Sequence, residues 1–235
     1  MKFQKKLAVT ALFAALAAAS VVAQAQTVRI ANQGDALSMD PHSLNESLQL
    51  SVTSNVYEPL VGRNKDLSLA PALATSWKQT SPPVWRFELR KGVQFHDGTP
   101  FTADDVVFSF GRMKGEGSDM KATNSDVKLV RKIDDHTIEI ETQAPQPILP
   151  DVITTSYMMS KKWCETNQAT TPVDRRKGIE NAASFRANGT GPYRLRERQP
   201  NVRTVFVRNG AYWGQIEGNA PEGIFTRIGN AATRG

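Results

Sequence analysis

The chain has 235 residues, a formal net charge of +6, 40% hydrophobic residues and a single cysteine, Cys164. One thiol cannot form an internal disulfide, so the predicted fold is held together by its apolar core. Three of the lysines lie in the first 25 residues, and the remainder, at +3, is too mildly basic to indicate a nucleic-acid-binding protein.

The first 25 residues form a predicted secretory signal. Lys2, Lys5 and Lys6 precede an apolar run, Leu7–Ala23, and small residues allow cleavage after Ala25. A run of this length could nearly span a bilayer as an anchor, but its alanine content and cleavage signal favour removal. No cysteine follows the cut, so we expect no lipid anchor. The sequence predicts an exported, soluble mature protein.

The mature chain is predicted to open with a strand, a loop and a helix. The strand is TVRIAN (27–32), and the loop GDALSMDPH contains a turn at Asp40–Pro41. Apolar residues then recur at every fourth position from Leu44 to Val56, which predicts a helix with one face against a core. Pro59 is expected to end it.

Short strands and turns follow the helix. A tight turn is predicted at residues 64–66, and VWRFELR (84–90) alternates large apolar with charged residues, as a half-buried strand does. Large rings on such strands cover the face of a sheet. We therefore expect one aromatic core, formed by Trp77, Trp85, Phe87, Phe95 and Phe101.

The stretch HDGTPFTADDVVFSF (96–110) raises the question of a catalytic or metal site, because it holds a histidine and three aspartates. Asp97–Gly98 is a turn dipeptide. Thr102 and Asp105 have the spacing of a capping box, and Asp104 lies where a carboxylate meets the positive end of a helix dipole. His96 has no second histidine at metal-binding spacing. These residues are therefore predicted to be structural.

The second half of the chain contains two predicted hairpins. VKLVRKI and TIEIET flank a turn at Asp134–Asp135, and a later pair of strands lies near 192–198 and 202–208. Between the hairpins, helices are possible around 160–166 and 175–185. GTGPYR lacks both the spacing and the lysine of a phosphate-binding loop.

Five arginines lie close together in the last hairpin. Arg194, Arg196 and Arg198 are expected on one face of a strand, followed by Arg203 and Arg208. A nucleic-acid surface can use such a stripe, but a solvated strand face is the simpler interpretation in an exported protein.

Six segments of the chain carry a resemblance. They are LSMDPH, NVYEPLVGRN, LAPALATSWK, VWRFELRKGVQFHDGTPFTADDVVFSF, NGTGPYRL and NGAYWG. In this order they are similar to segments of extracellular solute-binding proteins of family 5, the peptide-binding proteins of ABC transporters. The resemblance covers nearly the whole mature chain.

The resemblance implies an α/β fold: a periplasmic binding protein of the type II-like, peptide-binding cluster, with two lobes joined by a hinge. The first lobe carries an inserted, mostly β subdomain. In this chain it predicts a partial core of lobe one from residues 26–58 and 185–235, with the subdomain in residues 59–184. Because family members are much longer, it also implies a truncated member.

The resemblance further implies binding without catalysis. A monomer would capture a peptide or similar small solute in the periplasm and pass it to an ABC transporter permease in the inner membrane, with no cofactor or metal. The implied ligand-binding residues are Asn45, Glu46 and Ser47. They begin the first helix, where unpaired amide groups can meet a ligand, but helix capping by Ser43 or Asn45 explains them equally well.

Two alternatives to a binding protein stay open. An exported hydrolase would need a nucleophile elbow or paired zinc ligands, and the sequence has no G-x-S-x-G motif and only three scattered histidines. A nonstandard catalytic constellation is still possible. The other alternative is a remnant without function, which the truncation favours.

Overall fold

The computed structural model describes residues 26–229, which form three β-sheets and four short α-helices. The predicted signal, residues 1–25, lies outside the described residues. The strands are β1 (Val28–Asn32), β2 (Val61–Arg63), β3 (Leu69–Pro71), β4 (Ala74–Ser81), β5 (Val84–Leu89), β6 (Val127–Asp134), β7 (Thr137–Thr142), β8 (Tyr193–Gln199), β9 (Arg203–Arg208) and β10 (Glu222–Arg227). The helices are α1 (Ser47–Thr53), α2 (Ala103–Met113), α3 (Leu149–Val152) and α4 (Lys161–Thr166). None of these helices has the length and hydropathy needed to cross a membrane.

The β1 sheet brings together the two ends of the described chain, in the order β1-β10-β9-β8. Strands β1 and β10 are parallel, with Ile30 opposite Phe225, and the other neighbours are antiparallel. The hairpin predicted near residues 192–208 is confirmed as β8 and β9. Val52 of α1 packs with Phe206 and Phe225, so this helix covers part of one face of the sheet.

The β5 sheet, in the order β4-β5-β7-β6, is antiparallel throughout. Its strand β5 follows the predicted alternation, because Phe87 and Leu89 are buried while Glu88 between them is exposed. The hairpin around Asp134–Asp135 is confirmed, since β6 and β7 pair on either side of that turn. Helix α2 lies against β6 and contributes Phe110 to the core.

A first core, defined here as the cluster of buried side chains between residues 60 and 158, contains the predicted aromatic group. Phe87, Phe95 and Phe101 are fully buried, and Phe95 meets Phe101 edge to face with ring centroids 6.1 Å apart. Trp77 and Trp85 pack against this core while partly exposed. The aromatic prediction is therefore confirmed. Truncation of a buried phenylalanine costs about 3–5 kcal/mol, so these rings are a major part of the stability.

A second core lies between the β1 sheet, α1 and the segment 157–183. Val56 and Tyr57 are packed there with Cys164 and Ala183. The division into a lobe core (26–58, 185–235) and an inserted subdomain (59–184) stays a prediction. We propose to keep its first boundary at residue 58 and to move the second to 157, because the segment after 157 packs mainly with the second core.

The first helix is shorter than predicted. It ends at Thr53 and does not continue to Pro59. The chain beyond it is held by a distant loop, because Asn55 O accepts a hydrogen bond from the Tyr193 N–H at 3.0 Å and Val56 O from the Gly191 N–H at 2.9 Å. Contacts with a loop distant in sequence therefore override the apolar periodicity.

Helix α4 confirms the prediction around residues 160–166, whereas the prediction over 175–185 is wrong except for a single 3-10 turn, Ala182–Ser184. Asp174 and Ile179 instead exchange two backbone hydrogen bonds of 3.1 and 2.9 Å. The Asp174 carboxylate also accepts from the Arg176 N–H. A tight turn therefore satisfies the backbone groups that a helix would have used.

The predicted arginine stripe is divided between two faces of β8. A bulge at Arg196 shifts the pairing, so that Leu195 and Glu197 lie opposite consecutive residues of β9. One extra residue reverses the side-chain alternation beyond it. Arg198 consequently turns inward and forms a buried ion pair of 2.9 Å with Asp35, so the solvated-face interpretation is wrong for this residue. Arg196 pairs with Glu222.

Candidate binding site

The predicted ligand-binding residues Asn45, Glu46 and Ser47 are exposed at the start of α1. The Glu46 carboxylate caps the helix, accepting from the N–H groups of Leu48 at 3.1 Å and Gln49 at 3.2 Å. The prediction that Ser43 or Asn45 caps this helix is therefore wrong.

The neighbours of the cap have other partners. The Ser43 hydroxyl donates to Asp40 O at 2.8 Å, and the Asn45 amide donates to the Thr123 hydroxyl at 3.1 Å. The three predicted residues therefore lie together on one exposed edge, and the hydroxyl of Ser47 has no hydrogen bond within the described residues. The arrangement offers an amide, a carboxylate and a hydroxyl to an incoming polar ligand.

A buried ion pair fixes the loop that leads to these residues. The Asp40 carboxylate receives two hydrogen bonds from the Arg112 guanidinium, of 2.7 and 2.6 Å, and both side chains are fully buried. It also accepts from the Val173 N–H. Burial alone would raise the pKa of Asp40, but the charge and hydrogen bonds of Arg112 lower it below its ordinary value. Asp40 is therefore an ionised structural group.

His42 completes this buried network. Its Nε2 lies 2.8 Å from Tyr157 O, and its Nδ1 lies 3.0 Å from an Arg112 nitrogen. Because a carbonyl accepts and a guanidinium donates, the ring is neutral with its proton on Nε2. Burial, and then the charge of Arg112, lowers the pKa of His42 to about 4. Both ring nitrogens are occupied, so His42 is unsuited to be a catalytic base.

Helix α1 also lines a groove beside the predicted residues. Leu48 and Ser51 on the helix, and Asn55 just beyond its end, face Ile30 and Ile224 of the β1 sheet across a volume of about 330 Å³. The groove is largely apolar. Ser51 lies one helical turn beyond Ser47, so the exposed edge of the predicted site is continuous with this surface.

The acidic stretch 96–110 is structural, as predicted. Asp97 accepts from the Thr99 N–H at 2.9 Å, which closes the predicted turn. Asp105, at the start of α2, accepts from the N–H groups of Thr102 and Lys161, both at 2.9 Å. The capping box therefore works mainly through Asp105, whose carboxylate is nearly buried.

His96 and Asp97 bind a distant loop instead of a ligand. The imidazole Nε2 donates to Gly191 O at 3.0 Å, and Asp97 exchanges two hydrogen bonds with the Asn188 side chain. Burial lowers the pKa of His96 to about 4. Across residues 26–229, no group of three or more His, Cys, Asp or Glu residues is placed to hold a metal ion.

The loop NGTG (188–191) contacts the chain after α1 so closely that only glycine fits. A Cβ on Gly189 would lie 1.9 Å from Val56 O, and one on Gly191 would lie 2.7 Å from the same atom. Thr190 between them donates a hydrogen bond of 2.7 Å to Glu58. The loop is therefore a packing element, and it cradles backbone and not phosphate.

Known proteins share the sequence and the fold of this chain. The model of bacterial extracellular solute-binding proteins, family 5 (middle), matches residues 68–235. The chain belongs to this family. Among curated relatives, the periplasmic oligopeptide-binding protein OppA of Escherichia coli K12 is 26% identical over 88% of this chain and 40% of its own length. The nickel-binding periplasmic protein of the same organism is 30% identical over 87% of this chain and 38% of its own length.

Solved structures of OppA and DppA proteins share the fold. OppA of Burkholderia pseudomallei superposes with a TM-score of 0.76 at 24% identity, covering 90% of this chain and 44% of that one. DppA of Helicobacter pylori, in complex with the peptide STSA, gives a TM-score of 0.75 at 25% identity. The chain thus spans about 40% of the length of the curated relatives that it matches.

Several segments that carry the family-5 resemblance supply buried polar contacts. LSMDPH contributes Asp40 and His42, and NVYEPLVGRN contributes Glu58. These contacts link residues far apart in the sequence, and no local pattern of residues indicates which of them pair. In this family-5 chain, these segments therefore contribute buried contacts that hold the fold together.

Proposed function

We propose that the protein acts as the substrate-binding component of an ABC importer for peptides or related solutes. The observation that carries the proposal is the family-5 match over residues 68–235, together with relatives named for oligopeptide and dipeptide binding. We propose that it works in the periplasm, after export by the signal in residues 1–25, as a monomer that delivers solute to an inner-membrane permease.

Asn45, Glu46 and Ser47 form one wall of the proposed binding cleft. An extended peptide needs partners for its backbone N–H and C=O groups, and protein strands or loop edges commonly supply them. The exposed amide, carboxylate and hydroxyl at the start of α1 are suited to this task, because the buried Asp40 and Arg112 hold the preceding loop rigidly. A rigid wall lowers the ordering cost of binding.

The described residues supply one wall, so the affinity of this polypeptide alone is expected to be low. Periplasmic binding proteins close around a ligand by hinge motion, and both sides then contribute polar partners and exclude water. With one wall, water keeps about half of the polar groups of a bound peptide solvated. We expect binding no tighter than about 10 μM, a free energy near 7 kcal/mol.

The proposal assigns no catalysis to the chain. His42 is buried and His96 half-buried; both are neutral, and each donates its Nε2 proton to a backbone carbonyl. The only cysteine, Cys164, is buried in the second core, and burial raises the pKa of its thiol to about 12. None of these three groups is poised to attack a substrate.

Titration calorimetry with a library of di- to pentapeptides tests this proposal, followed by mass spectrometry of the recovered peptides. We expect weak, saturable binding by residues 26–235, with a dissociation constant above about 10 μM, and intact peptides; no detectable binding at millimolar peptide would contradict the proposal. Saturable binding tighter than about 10 μM would show that these residues form a complete site, which overturns the single-wall proposal. Cleaved peptides would overturn the assignment as a binding protein and favour the hydrolase.

A further inference from the structure

Glu58 lies where the chain passes from one core to the other. Tyr57 packs in the second core and Leu60 in the first, so the crossing takes place at Glu58 and Pro59. The chain crosses back beside it, because Met158 donates its N–H to Glu58 O at 2.9 Å. We call this crossing, residues 57–60 with 157–159, the junction.

The Glu58 side chain holds three groups that come from far along the chain. Oε1 accepts from the Tyr212 hydroxyl at 2.7 Å, and Oε2 accepts from the Thr190 hydroxyl at 2.7 Å and the Trp213 indole N–H at 2.9 Å. The residue is only 8% exposed. Both carboxylate oxygens therefore accept hydrogen bonds, although no cation forms an ion pair with Glu58 among the described residues.

The partners of Glu58 belong to different parts of the molecule. Trp213 packs against the first core, with the Arg90 guanidinium 4.1 Å above its ring centroid. Thr190 belongs to the loop 188–191, which contacts the chain at Val56 in the second core. One carboxylate therefore connects both cores at the junction. The Arg90 guanidinium lies over the ring of Trp213 and forms no ion pair with the carboxylate.

We propose that Glu58 couples the two cores, so that neither opens while the other stays folded. Bonds to a charged acceptor are stronger than bonds between neutral groups, and three of them converge here from two loops. A side chain of the same size without acceptors would leave the buried donor of Thr190 and the partly buried donors of Tyr212 and Trp213 without a protein partner.

The chain contains two probes that report the cores separately. Cys164 is its only cysteine and is fully buried in the second core, so its reaction with a thiol reagent reports opening of that core. Three of the four tryptophans pack against the first core and Trp163 packs against the second, so fluorescence measured in a Trp163→Phe background reports unfolding of the first core. Two-state unfolding requires both probes to give the same transition.

Urea unfolding of the purified protein, followed by both probes, tests the proposal. In the unmodified protein the thiol and fluorescence curves are expected to coincide. In Glu58→Leu the thiol should become reactive at lower urea than the fluorescence change, because the second core, with fewer buried side chains, opens first. Glu58→Gln keeps an acceptor for Thr190 and Trp213 and can donate to Tyr212, so its curves should again coincide.

Phe87→Leu is the matched control, because it weakens the first core without touching Glu58. It should move both curves together to lower urea. If Glu58→Leu does not fold, Tyr212→Phe removes a single donor and no buried volume, and a separation of the curves is expected there too. Coincident curves in Glu58→Leu, or in Tyr212→Phe where the first variant does not fold, would overturn the coupling. So would separated curves in the unmodified protein.

Discussion

Removal of the Arg112 side chain should destabilise the protein more than any exposed ion-pair variant. In Arg112→Met, the Asp40 carboxylate stays buried without its cation, and the carbonyls of Ala169 and Thr171 lose their donors. Breaking a buried pair from one side costs about 3–5 kcal/mol. In a protein of this size 1 kcal/mol corresponds to about 2–4 °C, so the melting temperature should fall by roughly 6–20 °C.

Thermal unfolding monitored by circular dichroism measures this change. Lys65→Ala is the control, because Lys65 pairs with Glu217 at 2.7 Å while both side chains are at least 80% exposed, and its melting temperature should not change. The double variant Arg112→Met, Asp40→Leu removes both charges and should recover part of the loss. If Arg112→Met and the Lys65→Ala control have the same melting temperature, the structural role of the Arg112–Asp40 pair is refuted.

Three further predictions follow from buried contacts. Gly189→Ala should lower the melting temperature by several degrees, because the added Cβ overpacks against the backbone at Val56. Gly210→Ala is the control, because a Cβ there meets open space, and its melting temperature should not change. Equal melting temperatures for the two variants would contradict the close contact between Gly189 and Val56. His42 has a folded pKa of about 4 against 6.5 unfolded, so about 3 kcal/mol of stability should be lost as pH falls from 6.5 to 4. In His42→Gln, the melting temperature should fall less between pH 6.5 and pH 4 than in the unmodified protein. An equal fall in the two proteins would contradict this prediction. Asp105→Asn should destabilise the protein more than Thr102→Ala, for which about 1 kcal/mol is expected, because the Asp105 carboxylate accepts two backbone hydrogen bonds. A lower melting temperature for Thr102→Ala than for Asp105→Asn would refute this.

Local patterns in the sequence predicted most of the strands. Alternation along residues 84–90 and the turn at Asp134–Asp135 gave the correct strands and hairpins, because strand faces and tight turns depend on neighbouring residues. The aromatic core was also predictable, since large rings on one face of a sheet must be covered.

Contacts between distant segments could not be predicted. Asp40 meets Arg112 across 72 positions, and Glu58 meets Trp213 across 155, and no single-sequence pattern indicates such pairs. The same limit explains the early end of α1. The bulge at Arg196 was missed because one extra residue in a strand leaves the composition unchanged while it reverses the faces beyond it.

Photo-crosslinking of a labelled peptide tests the central claim most directly, namely that residues 45–47 form a wall of a peptide-binding cleft. A benzophenone side chain replaces Ser47 in one variant and Ser81, an exposed residue at the end of β4, in the control. With peptide at millimolar concentration, the account predicts labelling from position 47, little from position 81, and intact unreacted peptide. Equal labelling from both positions, or none from position 47, would contradict it.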